Sequence, residues 1–361
     1  MKKILEKILT EKETIKKINF SEQYSLNKIP EIIKECIQLE KLDVSFTGIT
    51  EIPDFVFQLP KLKELNYLGC TELRSQPKSF SSKQPLEKLS IYIGKNHKFI
   101  ANIENLTTLK SLVINGSLKE IPDAVYDIPN LQELELFDTK IATVSEKIQQ
   151  FKKLKKLSFW QPSFSDNDKL IALKLDKIFQ NLSKCISLKE LLLNNNGIKE
   201  IPENILLLNQ LQKISVNHNK LESYPNAIYK LTKLIEIDFG INRIKEIPKG
   251  IGNLSQLKTL KFNSNWINKL DTKNLFDEIS QLKNLENLEL WSCQSIKEIP
   301  ESISHLKKLK KIDLDNNLLE KLPESISTMQ HLKTLRISTN KISSEDVSEL
   351  KKHLTGTNII A

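Results

Sequence analysis

The sequence of 361 residues predicts an α/β solenoid: one curved horseshoe of stacked coils, with a concave parallel β-sheet and short helices or 3-10 turns on the convex side. Three observations predict it: a leucine motif of fixed period, apolar and polar residues that alternate inside that motif, and a proline in the second half of many repeats. The motif LxxLxLxxN begins at thirteen leucines, mostly 22 to 24 residues apart: Leu39, Leu62, Leu86, Leu109, Leu131, Leu154, Leu188, Leu211, Leu234, Leu257, Leu285, Leu309 and Leu332.

The first half of each repeat predicts a short strand with one buried face. In the Leu188 repeat, Leu191 and Leu193 alternate with polar neighbours, so both side chains are expected to point inward. An asparagine at the ninth position follows where the chain must leave the strand, and its amide can satisfy exposed backbone groups of the turn. It occurs at Asn196, Asn219, Asn242, Asn265, Asn317 and Asn340.

The second half predicts a return segment and a short helical turn. Proline fixes its own φ and biases the preceding residue toward extended backbone. The pairs are Ile52-Pro53, Ile121-Pro122, Ile201-Pro202, Ile247-Pro248 and Ile299-Pro300. Apolar residues three and six positions after each proline favour a helical turn on the outer side.

Taken together, the repeated positions resemble the leucine-rich repeat in its 23-residue "IPxxI" form. The fullest example is Leu188, Leu191, Leu193, Asn196, Ile198, Ile201, Pro202, Ile205 and Leu208. Similar repeats occur in intracellular Ras-group-related proteins of eukaryotes and in many bacterial proteins. The resemblance covers about nine-tenths of the chain.

The ends and two long repeats depart from the period. We expect residues 1–38 to form an N-terminal helical cap with a half repeat, residues 39–353 to form thirteen repeats, and residues 354–361 to form a C-terminal cap. Helix-like spacing joins Ile4, Ile8, Ile15 and Ile18, and SSEDVSELKKHL predicts a helix that Ser343 or Ser344 caps. Residues 154–187 and 257–284 contain helix-prone insertions, SDNDKLIALKLDKIFQNL and LDTKNLFDEISQL, that begin with capping residues.

Composition narrows the class of protein. The formal charge of +9 comes from scattered lysines, since only Arg74, Arg243 and Arg336 are arginines, so we expect no nucleic-acid partner. Because no signal peptide or membrane span is evident, we expect a cytoplasmic protein with no membrane partner, although secretion without a signal peptide stays open. We also expect a monomer. The cysteines form no CxxC pair, and Cys70 and Cys293 replace the ninth-position asparagine, which predicts a structural role. We expect no metal, cofactor or catalytic residue.

The fifth, seventh and eighth positions of each repeat should face the concave side and carry a ligand site. An apolar run crosses the first six repeats at Phe46, Leu68, Tyr92, Ile93, Phe137 and Trp160. The acidic residues on these positions outnumber the bases Lys261 and Arg336, so we expect an acidic concave surface. The candidate ligand-binding residues are Phe46, Tyr92, Phe137, Trp160, Asp138, Glu135, Trp291, Asp238 and Asp313. Alternatively, neighbouring side chains or the N-terminal cap cover these rings.

These observations predict a non-enzymatic scaffold that binds a protein or peptide ligand on its concave face, because large aromatic side chains on a rigid support anchor protein interfaces. Two alternatives remain open. One is a secreted or host-directed bacterial effector or adhesin-like protein of the same fold. The other is a carbohydrate binder that uses the aromatic run.

Overall fold

A computed structural model describes residues 2–77, 80, 84–95, 98–161, 171–245, 249–265, 272–293 and 295–361. The predicted Ile247-Pro248 pair lies outside these residues, as do the whole SDNDKL stretch, residues 165–170, and the first two residues of the second insertion, Leu270 and Asp271. The chain divides into two compact units, Met1–Leu188 (unit 1) and Lys189–Ala361 (unit 2).

Unit 1 contains a parallel sheet whose strands pair in sequence order. Its strands are β1 (Lys17–Asn19), β2 (Lys41–Asp43), β3 (Glu64–Asn66), β4 (Lys88–Ile93), β5 (Ser111–Gly116), β6 (Glu133–Phe137) and β7 (Lys156–Trp160). The register places equivalent repeat positions side by side, so that Tyr92 lies opposite Asn115 and Phe137 opposite Trp160.

Unit 2 contains a second run of parallel strands, again paired in sequence order. Its strands are β8 (Glu190–Leu192), β9 (Lys213–Ser215), β10 (Glu236–Asp238), β11 (Thr259–Lys261), β12 (Asn287–Glu289), β13 (Lys311–Asp313), β14 (Thr334–Arg336) and β15 (Asn358–Ile360). Each of these strands has three residues, whereas β4 to β7 have five or six.

The leucine motif locates the strands, and the predicted solenoid is confirmed. Strands β2 to β14 each begin two residues after the first leucine of their repeat, as Lys41 follows Leu39 and Thr334 follows Leu332. The alternating leucines point inward, because Leu191 and Leu193 are both fully buried. Burial of such side chains contributes about 1.5–3 kcal/mol each, and stacking supplies the neighbours that bury them.

Short helical segments lie between the strands, where the prolines predicted them. The 3-10 helices are Glu31–Glu35, Asp54–Gln58, Ile103–Asn105 and Glu146–Gln150 in unit 1, and Glu203–Leu208, Asn226–Lys230, Ile251–Asn253, Glu301–His305 and Glu324–Thr328 in unit 2. Pro53, Pro202 and Pro300 each precede one of them with extended backbone, at φ −65°, −68° and −76°. The α-helices are α1 (Lys2–Glu11), α2 (Asp123–Tyr126), α3 (Leu175–Leu182), α4 (Thr272–Ile279) and α5 (Ser344–His353).

The N-terminal segment is less helical than its apolar spacing predicts. Helix α1 ends at Glu11, Ile15 follows a turn, and Ile18 is the buried central residue of β1. The apolar spacing predicts a helix through Ile18 because period-2 and period-3.6 patterns coincide over a few residues. Strand β1 instead pairs with β2 and continues the sheet toward the N-terminus.

Helices are present in both long repeats, whereas the predicted capping residues at the start of the first insertion lie outside the described residues. Helix α3 begins after Lys174, whose side chain makes no capping hydrogen bond. Its apolar residues Ile178 and Phe179 are fully buried, so packing rather than a cap fixes the helix. At the C-terminus, Ser343 caps α5 as predicted, because its hydroxyl accepts a hydrogen bond from the backbone N–H of Asp346 at 3.0 Å.

A buried asparagine ladder joins successive repeats of unit 2. The side-chain amide of Asn242 donates to the carbonyl of Val216 in the preceding repeat at 2.9 Å and to that of Phe239 in its own at 3.1 Å. Its oxygen accepts from the backbone N–H of Leu221 at 3.1 Å. The same pattern recurs at Asn219, Asn265, Asn317 and Asn340. The ladder therefore satisfies buried backbone groups across neighbouring repeats.

Among the described residues, every helix is too short or too polar to cross a membrane.

Candidate functional site

The candidate site is the solvent-facing side of the unit 1 sheet. In β6 and β7, buried Leu134, Leu136, Leu157 and Phe159 alternate with side chains that point away from the core. That alternation places Phe137 and Trp160 on the same open face, one on each neighbouring strand. The ring centroids lie 4.4 Å apart with an interplanar angle of 50°, so the two rings are in contact.

We define the unit 1 patch as Phe46, Leu68, Tyr92, Phe137 and Trp160. Phe46 is 43% exposed and Trp160 39%, whereas the other three are half-buried. The rings therefore pack on each other and still present a surface to solvent. Ile93, predicted to belong to the run, is fully buried because β4 continues through it and turns its side chain inward.

Two residues that the sequence argument missed support the patch. Gly69 lies beneath the Phe46 ring, and a Cβ at this position would lie 2.4 Å from a ring carbon. Asn115 stands between Tyr92 and Phe137 in the register and is only 4% exposed. Its side chain accepts from the backbone N–H of Gly69 at 3.2 Å and donates to the carbonyl of Phe137 at 3.2 Å. Asn115 thus ties together the strands that carry the aromatic residues.

The backbone at Phe46 is unusual for a large side chain. Phe46 has φ of 52°, in the left-handed region that disfavours residues with a Cβ. Asp138, the eighth residue of its own repeat, has φ of 51° and adopts this conformation at lower cost. The eighth residue of each unit 2 repeat, from Asn195 to Thr339, has the same conformation, so this backbone belongs to the repeat and the exposed phenyl ring is what distinguishes Phe46.

Carboxylates border the patch. Asp43 accepts hydrogen bonds from the hydroxyl of Ser45 at 2.6 Å and from the amide of Asn66 at 3.0 Å. Glu135 pairs with Lys156 at 2.6 Å. Asp138 is exposed, and its backbone N–H donates to the carbonyl of Trp160 at 2.7 Å. Burial, and then the charge of Asp138, raise the pKa of the Tyr92 hydroxyl.

The third position of each repeat shares this face and carries five lysines and four glutamates, so it compensates the expected acidic surface only in part. Lys41, Lys88 and Lys156 belong to unit 1, and Lys213 and Lys311 to unit 2. Lys41 pairs with Glu64 at 2.6 Å and Lys213 with Glu236 at 3.0 Å. These two pairs join third positions to each other, whereas Lys156 and Lys311 pair with the fifth-position acids Glu135 and Glu289.

The remaining predicted site residues, Trp291, Asp238 and Asp313, lie in unit 2. Asp238 accepts hydrogen bonds from the amide of Asn217 at 3.1 Å and from the backbone N–H of Gly240 at 3.0 Å. Asp313 is only 7% exposed and pairs with Arg336 at 3.2 Å. Burial raises the pKa of Asp313. Asp238 and Asp313 thus contribute to internal networks of the sheet surface, whereas Trp291 is half-buried.

The thiols do not provide a reactive group at this surface. Cys36, Cys70, Cys185 and Cys293 are all buried. Cys70 donates to the carbonyl of Val44 at 3.2 Å and Cys293 to that of Phe262 at 3.5 Å, which are the bonds that the ladder asparagines make elsewhere. The predicted structural role of both residues is confirmed. The part of the chain that the structure describes contains no cluster of three or more His, Cys, Asp or Glu side chains suited to a metal ion.

Curated relatives match about half of the chain. The volume-regulated anion channel subunit LRRC8E of Xenopus tropicalis is 30% identical over 200 residues, which covers 47% of this chain and 23% of the relative. The human subunit LRRC8A is 28% identical over 200 residues, with 46% of this chain and 23% of the relative covered. The chain thus spans about a quarter of the length of these relatives.

Solved structures share the fold over nearly the whole chain. A leucine-rich repeat protein of Leptospira interrogans has a TM-score of 0.56 at 24% identity and covers 99% of this chain and 98% of its own. The Toll receptor in its complex with Spatzle from Drosophila has a TM-score of 0.57 at 18% identity, over 92% of this chain and 48% of its own. These similarities establish the fold alone.

Family models match most of the sequence. The model described as "Leucine-rich repeat region" matches residues 18–171 and 168–295, and the model described as "Leucine rich repeat" matches residues 283–342. The matched ranges contain strands β2 to β14, the asparagine ladder and the proline-led 3-10 helices described above. The chain belongs to the leucine-rich repeat family.

Proposed function

We propose that this protein is a non-enzymatic scaffold that binds a protein or peptide ligand through the unit 1 patch. The observation that carries the proposal is the exposure of Trp160 and Phe46, at 39% and 43%, on a hydrogen-bonded sheet. Tryptophan and phenylalanine bury large apolar areas on binding, and such residues dominate the energetics of protein interfaces.

The construction of the patch supports the proposal. Asn115 fixes the strand ends beneath the rings, and Gly69 leaves the space that Phe46 occupies. A surface held in place before the ligand arrives loses little conformational entropy on binding.

The character of the titratable groups supports a binding role rather than catalysis. Burial raises the pKa of the Cys70 and Cys185 thiols and raises that of Cys293 to about 12, so these groups remain protonated near neutral pH. Toll, a structural neighbour, is solved in complex with the protein Spatzle, which is consistent with use of this fold to hold a protein ligand.

The proposal is tested by quantitative affinity capture. The full chain and the Phe137→Ala/Trp160→Ala double variant are immobilised in equal amounts, and proteins retained from lysate of the source cells are quantified by mass spectrometry. Loss of a central aromatic anchor weakens interfaces by about 2 kcal/mol or more. We therefore expect at least one protein whose retention falls by roughly tenfold or more.

Trp291→Ala is the matched control, since Trp291 occupies the same repeat position in unit 2. It should retain the same proteins as the unmodified chain, and thermal melting should show that each variant is folded. Identical retention by the double variant and the unmodified chain contradicts the proposal. A glycan array run in parallel decides whether the patch binds carbohydrate instead.

A further inference from the structure

A cavity of about 480 Å³ lies in unit 2 between helix α5 and the 3-10 helix Glu324–Thr328. Its volume falls within the range of about 300–1,000 Å³ that is typical of pockets for small molecules. The apolar part of its lining includes Ile326, Ile337, Ile342, Val347 and Leu350. The cavity is therefore large enough, and apolar enough, to hold an organic molecule.

The cavity exists because α5, rather than another repeat, packs against this 3-10 helix. Leu322 precedes a repeat proline just as Ile299 does, but Ile299 is buried and Leu322 is half-buried. Among the ten residues of α5 only Val347 and Leu350 are apolar, and Val347 is also half-buried. Two apolar side chains do not fill the space that the repeat leaves, so apolar surface stays open to a ligand.

Charged side chains surround the apolar lining of the cavity. They are three carboxylates, from Glu324, Asp346 and Glu349, and two bases, Lys321 and His353. All five side chains are exposed, and within the described part of the chain none of them makes a hydrogen bond or an ion pair. The carboxylates outnumber the bases and are available to a ligand.

An apolar cavity with an acidic rim favours a small organic cation. The apolar body of such a molecule leaves water when it enters the cavity, and its ammonium group can form charge-assisted hydrogen bonds with carboxylates at the rim. The same carboxylates repel an anionic molecule of equal shape. Because the carboxylates are exposed, each contributes modestly, so the cavity supplies most of the affinity and the rim selects the charge.

We propose that this cavity of unit 2 binds a small apolar molecule that carries an amine. The apolar body lies against Ile326, Ile337 and Ile342, and the ammonium group faces the carboxylates of Glu324 and Glu349. The site belongs to unit 2, whereas the unit 1 patch belongs to unit 1, so the two proposals stand or fall separately.

The test compares three probes that share one apolar body: phenylbutylamine, phenylbutanol and phenylbutyrate. Each is titrated at neutral pH into the full chain labelled at the isoleucine δ1 methyl groups, and the methyl signals are followed by NMR. The signals of Ile326, Ile337 and Ile342 are assigned from single Ile→Val variants. The amine is expected to shift these signals and to bind roughly 3- to 10-fold more tightly than the alcohol, and the carboxylate more weakly than the alcohol.

Glu324→Gln/Glu349→Gln keeps the shape of the rim and removes two of its charges, so the amine should then bind less than twofold more tightly than the alcohol. Glu345→Gln is the matched control, because Glu345 lies on the same helix and does not line the cavity. It should keep the preference for the amine. No shift of the three methyl signals with any probe overturns the proposal, as does equal affinity for the amine and the alcohol. A preference for the amine that survives in the double variant also overturns it.

Discussion

The two compact units use the same repeat but end their strands differently. In unit 2, the ninth position is asparagine in six of seven repeats, and each strand stops after three residues. The eighth residue of each of these repeats, from Asn195 to Thr339, has a positive φ. In unit 1, the ninth position is never asparagine, and β4 to β7 extend to five or six residues. Strands β2, β3 and β12 also stop after three residues, and there Thr47, Cys70 and Cys293 replace the asparagine and donate to a buried carbonyl. The comparison indicates that a buried side-chain donor at the ninth position, usually an amide in unit 2, accompanies the short strands.

The consequence is a different open surface on each unit. Unit 2 presents a polar network in which Asn194, Ser215 and Asn217 are hydrogen-bonded to each other and to Asp238. Unit 1 presents the aromatic patch, supported from below by one buried amide, Asn115. Polar side chains that already bond one another gain little from a ligand, whereas exposed aromatic rings gain from desolvation.

The largest expected effect comes from breaking the ladder. Asn242→Ala removes the hydrogen-bond partner of three buried backbone groups: the carbonyls of Val216 and Phe239 and the N–H of Leu221. We therefore expect the free energy of unfolding to fall by about 2–4 kcal/mol. In unit 1, Thr47→Ala removes one hydroxyl bond to the carbonyl of Val44 and should cost only about 1 kcal/mol.

Urea denaturation measures both variants, and exposed Asn209→Ala serves as the control that should change nothing. A loss for Asn242→Ala no greater than that for Thr47→Ala would show that the amide ladder does not distinguish unit 2 from unit 1.

The next effect is a pH dependence that Cys293 contributes to unit 2. Burial raises the pKa of this thiol to about 12, compared with about 8.5 in an unfolded chain. The neutral form is favoured by folding, so its contribution is complete below pH 8.5 and is lost as the pH rises toward 12. At pH 10 the loss amounts to about 2 kcal/mol.

Tyrosines also ionise in this range, so the measurement is the difference between the full chain and Cys293→Ala in urea denaturation at pH 8 and pH 10. The full chain should lose more stability than the variant. Burial raises the pKa of Cys70 in unit 1 as well, and Cys70→Ala should change the pH dependence in the same direction. Equal losses for the full chain and both variants would contradict this account.

The smallest effect concerns the strained eighth position. Ile241 is a β-branched residue with φ of 52°, and asparagine adopts this backbone more readily, so Ile241→Asn should stabilise the chain by about 1 kcal/mol. Phe46→Asn relieves the same strain but removes the ring that lies on Gly69, so it should stabilise less.

The two substitutions also separate strain from recognition. Phe46→Asn should weaken retention of the ligand captured by the unit 1 patch, and Ile241→Asn should leave that retention unchanged. Equal stabilisation by both, with equal retention, would mean that the ring of Phe46 contributes neither packing nor binding.

The sequence predicted the parts of the fold that are set within one repeat. The leucine spacing located strands β2 to β14, the prolines located many of the 3-10 helices, and Ser343 located the start of α5, because each feature depends on a local pattern. Strand β1 was missed because three residues carry too little pattern to separate a strand from a helix.

Features that depend on several repeats were harder to predict. Phe137 and Trp160 occupy the same position in neighbouring repeats, which is enough to bring their rings together. Asn115 bonds a residue two strands away, and nothing in the sequence distinguishes it from other polar residues. The fifth, seventh and eighth positions alone do not predict the ion pair between Lys156 and Glu135, because Lys156 occupies the third position of its repeat. Burial of Asp313 likewise depends on Lys311 and Arg336 from its own and the next strand.

Site-specific photo-crosslinking compares the two open faces most directly. A benzophenone amino acid replaces Trp160 in one chain and Trp291 in another, and both chains are irradiated in the source cells. Residue 160 is predicted to crosslink a discrete protein that residue 291 does not reach. Crosslinks from residue 291 alone, or the same products from both positions, would contradict the claim that the aromatic patch of unit 1 is the ligand-binding surface.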